Sequence, residues 1–333
     1  MRGPLASGHR GVEEMISEIV MNTDSSDAPP IVRRVRAQDV PALSAFLARH
    51  AETSMFLREA LLSGVDGGPG PRDARFWWVG EGVVALSTAG FLSIQMPSST
   101  PGDLDALRAA LAGESVFGIA GEAAQVAALL PALALGTPQF DGAEPLCRLP
   151  LHDLRLPEGD AVLRRPLPGD LGWLGRWRQR YEAELHGAAE LAAVTRHVAT
   201  LMAQDRLRIL MQGGVPLALT AFNARLPAPA QMVQVGGVYT PPAYRGRGYA
   251  RRAVALHLAE ARGEGAETAI LFASGPPALR AYQAIGFRQI GAYRLTLFPG
   301  ARLVPALPSS RADTAAGSDR NADRTPSPRK ERL

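Results

Sequence analysis

From Ile31 onward the chain alternates between short apolar runs of strand length and longer stretches whose apolar residues recur three and four apart. IVRRVRAQDVPALSAFLARH predicts a short strand, a turn with Asp39 as a helix cap, and an amphipathic helix. ARFWWVGEGVVALSTAGFLSIQMP predicts three short strands divided by glycine turns. DLDALRAALAG then reads as a helix, SVFGIAG as a strand and EAAQVAALLPALA as a second helix, and this half closes near PLCRLPL. The same order follows again. AVLRRPLPGDLGWLGRWRQRYEAELHG runs from strand through a turn into a helix, and helical spacing continues in AELAAVTRHVATLMAQDR. RLRILMQGGVPLALTAFNAR is a hairpin turning at Gly213-Gly214, and MVQVGGVYT is a strand. RGYARRAVALHLAEARGEG is a helix with Gly263 as its stop, followed by strand AILFA, helix PALRAYQAIG and strand IGAYRLTLF. Strands first and an αβα segment later, twice over, predict an α+β fold duplicated from a unit of roughly 120 to 140 residues.

Composition changes this picture little. Hydrophobic residues make up 46% of the chain and charged residues 20%, which is enough apolar material for two cores. No uninterrupted apolar run reaches the roughly 18 residues of a membrane span. The opening segment, residues 1–30, has no apolar signal core and reads as a disordered leader. The tail, 300–333, is polar and rich in Pro and Ser, and also reads as disordered. It holds seven basic and four acidic residues, so its +3 is most of the chain's net +4. Nucleic-acid binding by the folded part is therefore not expected. The single cysteine, Cys147, excludes an internal disulfide and a multi-cysteine metal site. The histidines show no metal-ligand spacing, so no metal is expected. A cytoplasmic location fits these features. The folded segments are expected at 31–150 and 160–299.

One stretch carries chemistry. In VYTPPAYRGRGYARRA (Val238–Ala253) two prolines end a strand, and two glycines and four arginines then lead into a helix. The first four N–H groups of a helix have no internal partner and, with the helix dipole, attract an anion. Glycines let a phosphate lie against that backbone and arginines add charge. Gly236-Gly237 inside the preceding strand marks a bulge or a close approach by a ligand. A nucleotide P-loop is excluded, because no Gly-Lys-Ser/Thr occurs. A dinucleotide fingerprint fails at Arg251, where a third glycine is needed, and Glu267 precedes its strand instead of following it.

Arg245-x-x-Gly248-x-Ala250 resembles the Q/R-x-x-G-x-G/A loop of the GNAT acyl-CoA-dependent N-acetyltransferases. AYQAIGF (Ala281–Phe287) is similar to that family's second signature, at the family's spacing, and the likeness spans roughly 161–298. The paired arrangement resembles tandem-GNAT proteins of the mycothiol-synthase type. The resemblance implies two tandem folds, each a mostly antiparallel mixed sheet flanked by helices. The first copy would be degenerate, since its SVFGIAGEAAQVAALL lacks the arginine-glycine loop. It implies acetyl-CoA as co-substrate, an amine acceptor of unspecified kind, and no metal. It implies that backbone groups of Val238 and Tyr239 hold the pantetheine arm. The N–H groups of Arg245, Gly246, Arg247, Gly248, Tyr249 and Ala250 would hold the diphosphate.

Acetyl transfer to an amine needs a proton acceptor for the amine, donors for the oxyanion and an acid for the leaving thiolate. The resemblance makes Tyr282 the acid; the other reading is that its ring only packs in a helix interface. The strand before the loop offers Gln234 in place of the family's usual Glu, and Gly275 stands where an Asn is common. Glu184 is then the candidate base, with Glu182 and His186 behind it. The expected function is N-acetylation by direct attack in a ternary complex. A non-catalytic acyl-CoA-binding regulatory module is the alternative.

Overall fold

Each alternating run becomes a strand. The computed structural model describes residues 32–185, 187 and 189–307; the expected leader, His186 and residues 308–333 of the expected tail lie outside them. β1 (Val32–Arg34), β2 (Ala74–Val79), β3 (Gly82–Ser87) and β4 (Phe91–Gln95) pair antiparallel in sequence, and β5 (Ser115–Glu122) joins β4 in parallel. β6 (Phe140–Pro150) follows. The pattern then recurs, with β7 (Val162–Arg164), β8 (Leu207–Gln212), β9 (Val215–Leu226) and β10 (Met232–Tyr239) antiparallel and β11 (Thr268–Phe272) parallel to β10. The last strand is β12 (Arg288–Leu303). Gly213 and Gly214, at φ +55° and +81°, turn the β8–β9 hairpin with both central residues left-handed, as a two-residue hairpin requires.

The helices in chain order are α1 (Val40–Arg49), α2 (Met55–Leu61), α3 (Pro101–Ala110), α4 (Ala123–Leu133), α5 (Leu171–Leu185), α6 (Leu191–Ala203), α7 (Tyr249–Gly263) and α8 (Pro276–Gln283). Side chains alternate across a strand, so each strand feeds two cores. Phe76 packs with α1 and α2, whereas Trp77, one residue on, packs with α3 and α4. Ile209 packs with α5 and α6, and Leu210 with α7. The sheet thus separates α1, α2, α5 and α6 on one face from α3, α4, α7 and α8 on the other.

All strands join one sheet in the order β1-β2-β3-β4-β5-β12-β6-β11-β10-β9-β8-β7. The two halves exchange their last strands. β6, from the first half, pairs with β11 of the second through Ala269↔Leu149 and Leu271↔Cys147. β12, from the second half, pairs with β5 of the first through Leu295↔Ala120 and Thr296↔Ile119. PLCRLPL therefore does not close the first half but extends the sheet of the second. Phe298 of β12, 1% exposed, lies in the core built on α3 and α4. Neither expected segment closes a sheet from its own strands.

Three local expectations are refined. Asp39 is the N-cap residue of α1, but its side chain closes the preceding turn Ala37–Asp39 instead: its Oδ2 accepts from the Arg36 amide and Arg33 Nη1, both at 2.9 Å. α7 includes Gly263, and the left-handed residue after it is Gly265, at φ +95°. β12 runs to Leu303, into the segment expected as tail, and Val304 is buried.

Exchange makes the two cores one cooperative unit. Phe298→Ala is expected to cost about 3–5 kcal/mol. It should shift a single denaturant transition in which tryptophan fluorescence and far-UV circular dichroism coincide. Two separated transitions in the wild-type chain would contradict this.

Candidate functional site

The strand that leads into the arginine-glycine loop is irregular on both edges. β10 pairs with β11 from Met232↔Thr268 to Val235↔Leu271, and there the pairing ends. Toward β9, Asn223 is an extra residue between Ala224 and Phe222, and β10 has one extra residue between Gly236 and Tyr239. The glycines permit this close passage. A Cβ on Gly236 would lie 1.9 Å from Asn223 Nδ2, and one on Gly237, at φ +60°, would lie 2.6 Å from Arg178 Nη1. Extra residues bend a strand and end its pairing. The outcome is an opening between the ends of β10 and β11, where their pairing stops at Val235 and Leu271.

The Asn223 bulge is held from the first half. Glu59 on α2 accepts from Arg72 at 3.0 Å and Arg206 at 2.5 Å. Both arginines also donate to the Asn223 carbonyl, at 2.8 and 3.3 Å. Glu59 is mostly buried there, and Arg225's amide reaches it as well.

Past the opening, Pro242–Tyr244 make a short turn, and Gly246 and Gly248 take φ +77° and +78°. Gly248 is the N-cap of α7 and supplies no side chain to the first-turn amides. Nothing lies within 4 Å of a Cβ built on Gly246, so the loop is open on that side. Arg247 is exposed. Arg245 Nε donates to the Thr240 carbonyl at 2.9 Å, and its Nη2 reaches both oxygens of Glu184 at 2.8 and 2.7 Å. The candidate base and the first arginine of the loop are thus an ion pair. Arg252 spends its guanidinium on the carbonyls of Pro157, Gly159 and Ala161, fixing α7 to the entry of β7. Tyr239 is buried against Trp177 with its hydroxyl unpartnered, and the Thr240 hydroxyl beside it is likewise buried and unpartnered.

Two tyrosines approach the opening from opposite faces. Tyr282 comes from α8 and is buried with Val235, Leu271 and Cys147. Burial pushes its phenol well above the ordinary range, with Tyr181, Glu144 and Cys147 adding to the effect. Tyr181 comes from α5; burial pushes its phenol up to about 12, against the field of Arg178 and a hydrogen bond from the Gly237 amide. Sequence reasoning passed over Tyr181, Arg178 and Glu144. Only the packing of α5 onto the bulge and the exchange of β6 bring them here. Burial also pushes the Cys147 thiol up to about 11.

The parallel pairs identify the first half's counterpart of the loop. β4–β5 matches β10–β11, so the counterpart of the loop and α7 is Met96–Thr100 with α3, not the β5–α4 segment SVFGIAGEAAQVAALL. The chemistry there is reversed. Thr100 Oγ1 accepts from the Asp103 amide at 3.2 Å, and Asp103 Oδ2 accepts from the Thr100 amide at 2.9 Å. This capping box fills the helix end, and the Asp103 carboxylate, 7% exposed, puts a negative charge where an anion would sit. The first turn of α3 is thus capped by side chains and faces a carboxylate, whereas no side chain caps the first turn of α7.

Residues 176–287 match the family described as acetyltransferase (GNAT) family. No curated protein matches the chain in sequence. Among solved structures, a Drosophila protein is 14% identical with a TM-score of 0.55, covering 81% of this chain and 99% of its own. The GCN5-related glucosamine N-acetyltransferase region of a fungal multi-domain GH3 β-N-acetylglucosaminidase is 16% identical with a TM-score of 0.50; the match covers 83% of this chain and 39% of that one. These likenesses show the fold. Among the described residues no helix is long and apolar enough to cross a membrane, and no cluster of His, Cys, Asp and Glu could hold a metal ion.

His197, on α6 beside Arg178, reports on this face. Burial, reinforced by Arg178 and Arg72, lowers its pKa from 6.5 to about 4. The unfolded chain takes up the proton first on acidification. The stability this histidine contributes is therefore present above pH 6.5 and is lost as the pH falls toward 4. His197→Gln should flatten the pH dependence of the denaturation midpoint across that window. An unchanged dependence would contradict the placement.

Proposed function

We propose that this GNAT-family N-acetyltransferase moves an acetyl group from acetyl-CoA to a primary amine by direct attack within a ternary complex. The observation that carries the reading is the contrast between the two helix starts. Gly248 leaves the first-turn amides of α7 uncapped beside Arg245 and Arg247, whereas α3 is closed by Thr100 and Asp103. One acetyl-CoA per chain follows, with the halves acting as tandem GNAT folds of which the first is degenerate.

Acetyl-CoA supplies an acetyl thioester. The amides from Arg245 to Ala250 take the diphosphate, where the helix dipole and the arginines offset its charge. Backbone groups of Val238 and Tyr239, left without a β11 partner once pairing stops at Val235, take the pantetheine arm. Glu184 is committed to Arg245. Both of its carboxylate oxygens accept from the Arg245 guanidinium, so its role is to hold Arg245 at the loop instead of serving as base.

Tyr282 delivers the proton to the leaving sulfur. A phenol of raised pKa is a weak acid, yet the same apolar surroundings raise the proton affinity of a thiolate as well. Cys147, in the same core, gauges this: burial alone moves it to about 11. Both proton affinities rise together, so burial of Tyr282 does not by itself bar the transfer.

The test is thermal unfolding with acetyl-CoA, paired with an assay of CoA release over a panel of primary amines. At about 100 times its dissociation constant a ligand adds about 2.7 kcal/mol. Wild type should rise by several degrees and Gly248→Trp should not. Tyr282→Phe should keep the shift while turnover falls about 10²–10⁴-fold. A shift without turnover on any amine would favour an acyl-CoA-binding regulatory module. The absence of a shift in a folded wild type would overturn the assignment of the loop.

A further inference from the structure

Where β11 ends, its neighbours continue. β11 stops at Phe272, paired with Leu146. β6 and β12 stay paired beyond that level, through Gly142↔Leu295 to Phe140↔Leu297. β5 and β4 extend beside them, with Ala120 opposite Leu295, Gly118 opposite Leu297 and Phe91 opposite Gly118. A ledge of sheet thus runs on from the opening, and the stretch from Tyr293 to Leu297 is about 13 Å long. Alternation puts Tyr293, Leu295 and Leu297 on the face of Ile270 and Phe272, where α2 packs through Met55 and Phe56.

The ledge is apolar and low. Phe272 and Tyr293 stack with ring centroids 4.3 Å apart, and Phe56 meets both, at 6.2 and 6.1 Å. Further out, glycines let side chains lie flat across the strands. A Cβ on Gly118 would lie 2.8 Å from Phe91 Cε2 and 2.9 Å from Leu297 Cδ2, and one on Gly142 would lie 2.8 Å from Phe140 Cζ. Phe56, Phe91, Phe272, Leu295 and Leu297 are each partly exposed there. Between Tyr293 and Leu297 alternation puts no charged residue of β4, β5, β6 or β12 on this face. α2 borders the ledge on one side. On the other, the chain beyond α5 reaches the start of β6, where a Cβ on Gly187 would lie 3.5 Å from Gln139 Nε2.

Resting on the acetyltransferase reading above, we propose that the acceptor is a primary amine on an extended apolar body, an alkyl or arylalkyl amine, and that its body lies on this ledge with the nitrogen at the opening. Continuity selects this occupant. The ledge begins at Phe272, the last residue of β11, so a body lying along it carries its end group to the gap where β10 leaves β11. Such a body gains by leaving water for a floor of rings and leucines. A sugar, a polyamine or a peptide would instead lose water from polar groups that find no partner on this floor. The halves then divide the work: the second binds acetyl-CoA, and the first, through α2, β4, β5 and β6, selects the amine.

The experiment reads CoA release by the full chain with the n-alkylamines from propylamine to octylamine, whose basicity is nearly constant, and with 2-phenylethylamine, glucosamine and spermidine. Thermal shift by acetyl-CoA is recorded for each variant. In wild type kcat/KM should rise about two- to fourfold with each methylene, mainly through KM. 2-Phenylethylamine should be a good acceptor, and glucosamine and spermidine poor ones. Leu295→Asp should keep the acetyl-CoA shift and flatten the rise, and Leu295→Met should restore it. Leu297→Asp, at the outer end, should end the rise at a shorter chain. An active wild type with a flat series, or with a preference for glucosamine or spermidine, would overturn the inference, as would a rise that both aspartate variants leave intact. Wild type inactive on every amine would instead sink the acetyltransferase reading, and this inference with it.

Discussion

The end of pairing between β10 and β11 at Val235 is the constraint on which the site depends. A sheet continuous at this point would offer neither free backbone groups nor an opening between the two strands. The divergence needs Gly236 against Asn223 and Gly237 in a left-handed conformation beneath Arg178. It also needs the extra residue at Asn223, whose carbonyl is held by arginines anchored on Glu59. Tyr181, Tyr282 and the loop at the start of α7 all take their meaning from that opening.

The two halves share a strand order and differ in one chemical choice. At α7 the helix start is a left-handed glycine flanked by arginines; at α3 it is a capping box with a buried aspartate. The same helix start is therefore uncapped by side chains beside arginines in one half and closed by a carboxylate in the other. The first half is not idle for that reason. It gives β6 to the second sheet, receives β12 in return, and supports the β9 bulge through α2. Removing it would strip β11 of a neighbour and β12 of its core.

Much of this was legible in the sequence where the signal is local. The arginine-glycine loop, the glycine pair before it and Tyr282 stand within about 50 residues, and each was marked by residue type and spacing. Strand and helix positions followed from alternation, apart from β6 and from α2, whose seven residues are too few to show a helical period. What failed was long-range. Periodicity marks PLCRLPL only as the close of the first half and not as a strand that pairs with β11, so Cys147 and Glu144 could not be placed beside Tyr282. The same ignorance of pairing led to β5–α4 being matched with the loop in place of β4–α3. Glu184 was marked as an acid on the right helix, but only the folded loop reveals Arg245 against it.

The central claim is that one helix start binds acetyl-CoA and its counterpart does not. Isothermal titration of the full chain with acetyl-CoA measures this directly. One site per chain is predicted, with binding lost on Gly248→Trp and unchanged on Asp103→Asn. Two sites per chain, or binding that survives Gly248→Trp, would contradict the account.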